Sequence, residues 1–231
     1  MNRHMRLLLA ALALVPGLAL AECTEDAMLV FDGSGSMAEM GYNGLDVPRI
    51  NDARRALHRV LPPIAQVRRL GLIVYGPGGG ESCSRVDLRL SPQRDAAGRI
   101  LAEIDELVPD GNTALTRAVR RAAEALDYRN RPGTVVLVTD GKETCGGATC
   151  QLAAELAAEA PGLTVHVIGF RVRGDFFNWE GGDGNPEVDE VPAVAQCLAD
   201  RTGGLYVSTE TTEELEAALR KTLDCPIYSM R

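Results

Sequence analysis

Histidine and lysine are scarce among the 231 residues, and these scarcities narrow the chemistry first. The three histidines are scattered: His4 lies near the start, His58 in a helix-like stretch and His166 in a strand-like one. They offer no cluster for acid–base work or metal ligation and read as structural. No C-x-x-C pair supports a zinc site. Gly33-Ser34-Gly35 lacks the G-x-S-x-G frame of a nucleophile elbow. Neither a phosphate-binding P-loop nor a dinucleotide fingerprint occurs. Lys142 and Lys221 are the only lysines, and arginine carries the remaining positive charge. The formal net charge is −8, which gives no electrostatic attraction to nucleic acid or anionic lipid. Internal repeats and low-complexity segments are absent too.

The N-terminus reads as an export leader. Arg3, His4 and Arg6 form a basic start, an apolar run over 7–20 follows, and Ala19-Leu20-Ala21 is a small-residue cleavage site. The run is too short for a membrane span. Residues 1–21 are therefore expected to be removed, leaving a single domain over 22–231. That chain, of about 210 residues, is long enough for one proper core and would be periplasmic or secreted, with no membrane insertion after cleavage. All six cysteines (Cys23, Cys83, Cys145, Cys150, Cys197 and Cys225) lie beyond the leader. An even number in an exported chain points to disulfides. Nearness in sequence suggests Cys145–Cys150, and Cys23 and Cys225 bracket the domain. Elimination then leaves Cys83–Cys197.

Strand-like and helix-like segments alternate. Apolar runs at 27–31, 70–75, 134–139, 163–170 and 205–207 read as strands, and the 83–90 segment, which alternates, as an antiparallel edge strand hairpinned to the second. Helical periods occupy 49–61, 94–108, 113–126, 151–160, 191–200 and 211–223. Pro62-Pro63 is expected to end the first helix, and Thr211 with Glu214 has the spacing of a capping box. The pattern implies an α/β fold: a central, mostly parallel sheet, one antiparallel edge strand, and helices on both faces. Ligands of such sheets bind beyond the carboxyl ends of the strands where strand order reverses. Asp32 follows the first strand and Asp140 follows the Val-rich 134–139 strand, so adjacent placement would bring their carboxylates together there.

Asp32-Gly33-Ser34-Gly35-Ser36 presents a carboxylate and two hydroxyls on one glycine-containing turn. Such hard oxygen donors suit Mg²⁺, Mn²⁺ or Ca²⁺. Together with Gly111-Asn112-Thr113-Ala114-Leu115 at a helix start and Thr139-Asp140-Gly141 after a strand, this stretch resembles a von Willebrand factor A (VWA) domain with a complete metal-ion-dependent adhesion site (MIDAS). The resemblance covers roughly 26–223, and Asp140 to Gly147 is similar to exported bacterial members. It implies a three-layer Rossmann-like fold. It also implies a metal site made by Asp32, Ser34, Ser36, Thr113 and Asp140: the two serines bind directly, Thr113 directly or through water, and the aspartates largely through water. Thr113 is expected to cap its helix as well. Asp110 reads as a turn former, and Lys142 and Glu143 as solvated charge.

Neutral hydroxyls leave much of a cation's charge uncompensated, so the open position favours an anionic oxygen such as a partner's Asp or Glu. The expected function is thus a non-enzymatic, exported, metal-dependent protein-binding module. The alternative is a Mg²⁺-dependent hydrolase or phosphoryl-transfer enzyme, for which Asp140 is the only candidate base in the cluster. Residues 174–190 add Phe176, Phe177 and Trp179 among several carboxylates, an expected tuner of partner choice.

Overall fold

The computed structural model describes residues 23, 25–40, 47–78, 82–170 and 190–225. The leader and nearly all of the aromatic, acidic 174–190 segment lie outside the described residues.

Among the described residues, six strands form one sheet: β1 (Asp26–Asp32), β2 (Leu70–Tyr75), β3 (Val86–Gln93), β4 (Gly133–Thr139), β5 (Leu163–Phe170) and β6 (Tyr206–Thr209). Their order is β3-β2-β1-β4-β5-β6. All neighbouring pairs are parallel except β2 with β3, the expected edge hairpin. Among the described residues, six helices cover the sheet: α1 (Arg49–Val67), α2 (Ala97–Asp105), α3 (Leu115–Ala125), α4 (Thr149–Glu159), α5 (Glu190–Thr202) and α6 (Thr212–Leu223).

Strand periodicity divides the core in two, because successive side chains point to opposite faces. Leu29, Phe31, Leu72, Val74, Val136 and Val138 pack beneath α1, α2 and α6. Met28, Val30, Ile73, Tyr75, Val135 and Leu137 pack beneath α3, α4 and α5. This explains why β1, β2 and β4 read as continuous apolar runs: both of their faces are covered. In the edge strand β3, Leu88 is 37% accessible.

The prolines do not end α1. The helix runs through Pro62 and Pro63 to Val67, since Ile64 and Ala65 are needed in the core. Pro63 has no N–H for the carbonyl of Arg59, and the Arg220 guanidinium of α6 donates to that carbonyl instead (3.2 Å). The α6 capping box forms as expected, with Thr211 Oγ1 accepting from Glu214 N at 3.2 Å.

Of the expected disulfides, Cys23–Cys225 forms and closes the domain. Beside it, buried Arg68 donates to the carbonyls of Leu223 and Asp224 and to Thr134 Oγ1. The other two pairings are corrected to Cys83–Cys145 and Cys150–Cys197. Cys150 sits in the first turn of α4, which packs on α5 where Cys197 lies, so the helix directs its thiol away from the preceding loop. Cys145 stays on that loop and meets the β2–β3 connection.

Candidate metal centre

The order reversal falls between β1 and β4, which are hydrogen-bonded neighbours. Asp32 ends β1 and Asp140 directly follows β4, so the two carboxylates emerge side by side at the sheet's carboxyl edge. Both are buried, with accessibilities of 0% and 7%. Asp32 is fully engaged by its own loop and by β4. One oxygen accepts from Ser34 N (2.9 Å) and the other from Thr139 Oγ1 (2.7 Å). The hydroxyls of Ser34 and Ser36 lie 3.1 Å apart, and Ser36 Oγ donates to Asp140 at 2.7 Å.

The third segment joins through the backbone. Gly35 N donates to Gly111 O and Asp110 N to Gly33 O, each at 3.0 Å. Thr113 is 5% exposed. A Cβ at Gly141 would lie 3.8 Å from Ser36 Oγ and 3.9 Å from Thr113 Oγ1, so both hydroxyls face the same glycine. All five expected residues therefore converge on one point. Gly76 supports the turn from below: its φ is +108°, and a side chain there would strike the backbone of Ser34.

Two expectations need correction. Thr113 does not cap α3; that position is Ala114, and no side chain of its own caps the helix. Glu143 does the work from the neighbouring loop, accepting from Thr116 N and Cys145 N (both 2.8 Å). It is a partly buried buttress rather than solvated charge, placed where the positive end of a helix dipole favours a carboxylate. Thr113 is instead tied to that same loop: its N–H donates to Thr144 Oγ1 (2.8 Å) and its carbonyl accepts from Thr144 N (3.0 Å). The Cys83–Cys145 disulfide thus braces the loop that holds both Thr113 and α3. Asp110 keeps its turn role, accepting from Gly111 N. His58 and His166 are structural, as expected. His166 Nδ1 accepts from Leu205 N, and His58 pairs with Asp105 on the surface.

Arg49 is the site residue the sequence reading missed. Only 9% exposed, it sends Nη1 to Asp140 Oδ2 (3.1 Å), Ser36 O (3.0 Å) and Glu39 Oε2 (3.2 Å). A signal was present: Arg49 opens a helix, where the dipole disfavours a cation. A cation there needs a nearby anion, and Asp140 is that anion.

The electrostatics suit cation binding. Burial, and then the charge of Asp32, raise the Asp140 carboxyl to about 7; Ser36 and Arg49 pull the other way. Tyr75, fully buried beneath, is held well above its ordinary value by burial and then by Asp32, so it stays neutral. Its buried hydroxyl has no hydrogen-bond partner among the described residues. The donors are hydroxyl and carboxylate oxygens, with no thiolate or imidazole among them. Among the described residues no group of three His, Cys, Asp or Glu side chains assembles. Such a donor set fits a hard divalent cation and not a soft one.

Fold and site together define a VWA-type domain. The chain belongs to the von Willebrand factor type A domain family, whose model matches residues 27–143. It is 30% identical over 205 residues to the uncharacterized protein YwmD of Bacillus subtilis (strain 168), across 84% of this chain and 82% of that one. An aerotolerance-related membrane protein from Bacteroides fragilis NCTC 9343 shares the fold, with a TM-score of 0.60 and 20% identity over 87% of this chain and 98% of that one. So does proximal thread matrix protein 1 of the mussel byssus, whose MIDAS motif is occupied by zinc (TM-score 0.55, 16% identity, 88% of this chain and 46% of that one). VWA domains are commonly protein-interaction modules. Among the described residues, no helix is long and apolar enough to cross a membrane.

Proposed function

We propose that this protein is an exported binding module that grips a carboxylate of a partner protein through a divalent cation. The reading rests on one observation above all: Ser34, Ser36, Thr113, Asp32 and Asp140, from three separate segments, converge at the β1–β4 switch point. Ser34 and Ser36 would hold the cation through their hydroxyls, with Thr113 completing the set and the two aspartates holding its waters. The bound ion would supply an electrophilic position for an anionic oxygen. Mg²⁺ suits this role, keeping waters that a carboxylate can replace; Mn²⁺ and Ca²⁺ remain alternatives. The zinc-occupied MIDAS of the mussel protein supports a divalent ion on this fold. Three disulfides and a leader-like N-terminus support export.

The residues themselves bind and orient rather than react. Asp140, the one candidate base, already accepts from Ser36 and Arg49. Neither His58 nor His166 stands at the site. What favours binding over hydrolysis is that both Asp140 oxygens are already engaged by the site's own side chains. The test is calorimetric titration of the oxidised protein with Mg²⁺ and Mn²⁺ beside a folded Ser34→Ala/Ser36→Ala variant. Binding should occur in the parent and vanish in the variant. Absence of binding in the parent, or its persistence in the variant, overturns the reading.

A further inference from the structure

Arg49 brings a fixed positive charge into a site built to hold a positive ion. The guanidinium is nine-tenths buried, and its Nε has no hydrogen-bond partner, a costly position for a cation. It is held there by Asp140 Oδ2 and Ser36 O, one of them a side chain of the site and the other the backbone of a ligating serine. The third acceptor, Glu39, is 64% exposed at its side chain, where solvent screens it. Inside the cluster, Asp32 and Asp140 thus face one buried cation.

From this geometry we infer that Arg49 trades metal affinity for partner affinity; the inference rests on the metal-bridging function proposed above. With both carboxylates ionised, the cluster carries one net negative charge. A divalent ion turns this into one net positive charge, which a single partner carboxylate neutralises. Without Arg49 the loaded cluster would already be neutral, and the metal's open position would have less pull on an anion. The guanidinium also repels the ion and occupies Asp140 Oδ2, so it weakens metal binding while strengthening capture of the carboxylate. Arg49 is a positioning residue in this scheme: it acts through Asp140 and through the field, not by touching the partner.

A purely structural role predicts the opposite sign for metal binding, since loss of the bonds to Asp140 and Ser36 would loosen the loop. The experiment compares the oxidised parent with Arg49→Met and Arg49→Lys at pH 8, with thermal melting to establish folding. Mn²⁺ binding is followed by water-proton relaxation, and acetate is then titrated into each loaded protein as the carboxylate probe. Arg49→Met should bind Mn²⁺ about tenfold more tightly than the parent and acetate several-fold more weakly, with the size set by one unit charge at short range in a partly buried site. Arg49→Lys, which keeps the charge, should stay close to the parent in both. Unchanged or weaker Mn²⁺ binding in folded Arg49→Met overturns the inference. So does an Arg49→Lys protein that behaves like Arg49→Met. A parent that binds no Mn²⁺ overturns the metal-bridging function itself, a different result.

Discussion

Asp140 and His166 place opposite pH slopes on folding over nearly the same range, and an Asp140→Asn substitution should separate them. Asp140 titrates near 7 in the fold, against an ordinary value of 3.8, because burial and then Asp32 disfavour its charge. Between those values the folded protein holds a proton that the unfolded chain has released. Stability from this group is therefore complete below about pH 4 and is lost as pH rises toward 7. At about 1.4 kcal/mol per pH unit the total is on the order of 4 kcal/mol. His166 behaves in reverse. Burial, and then the charge of Arg68, lower it from 6.5 to about 4, so the unfolded chain protonates first. Its contribution is complete above 6.5 and is lost as pH falls toward 4, on the order of 3 kcal/mol in total.

In the metal-free parent the two slopes nearly cancel between pH 4 and 6.5. Asp140→Asn removes one of them. Its stability should climb by about 3 kcal/mol across that interval, while His166→Asn, which can still accept from Leu205 N, should fall with rising pH. Below pH 7 the folded Asp140 is neutral, so asparagine, whose amide oxygen can still accept from Arg49, leaves the slope over pH 4–6.5 intact. The assay is urea unfolding of the oxidised proteins in EDTA from pH 4 to 8, followed by circular dichroism. Surface carboxylates such as Glu155 and Glu214 are common to all three proteins and drop out of the differences. An Asp140→Asn curve parallel to the parent would refute the burial argument for the carboxyl, and slopes of one sign in both variants would refute the cancellation.

Other perturbations have equally definite outcomes. Replacing Cys83 and Cys145 by serine frees a loop of 62 residues and should cost about 4 kcal/mol by loop-closure entropy; because it unbraces Thr144 and Thr113, metal affinity in calorimetry should fall too. Gly76→Ala forces a side chain against Ser34 at positive φ and should abolish metal binding, with a fall in melting temperature as the second readout. Thr211→Ala removes the α6 cap and should cost about 1 kcal/mol in urea unfolding without touching metal binding. Leu61→Ala, fully buried beneath the sheet, should cost about 2–5 kcal/mol; a loss under 1 kcal/mol would mean that the α1 face repacks.

What the sequence made legible, and what it hid, follow from the range of the forces involved. The unbroken apolar run Val135-Val136-Leu137-Val138 is a local pattern, so β4 and its two covered faces could be read from residue types alone. The Asp-x-Ser-x-Ser turn is local as well, and placing it at the β1–β4 edge needed only the rules of parallel sheets. The residues that escaped reading act across the chain. Glu143 caps a helix that starts 28 positions earlier than itself, and Arg220 satisfies a carbonyl freed by a proline 157 positions away. Cysteine pairing failed for the same reason: Cys145 and Cys150 are near in sequence, yet the start of α4 between them points the two thiols at different neighbours. Arg49 is the instructive case, because its local signal is an unfavourable one. A cation at the first position of a helix lacks a local rationale, and such a conflict between local preference and placement marks the residues whose reason lies in the tertiary site.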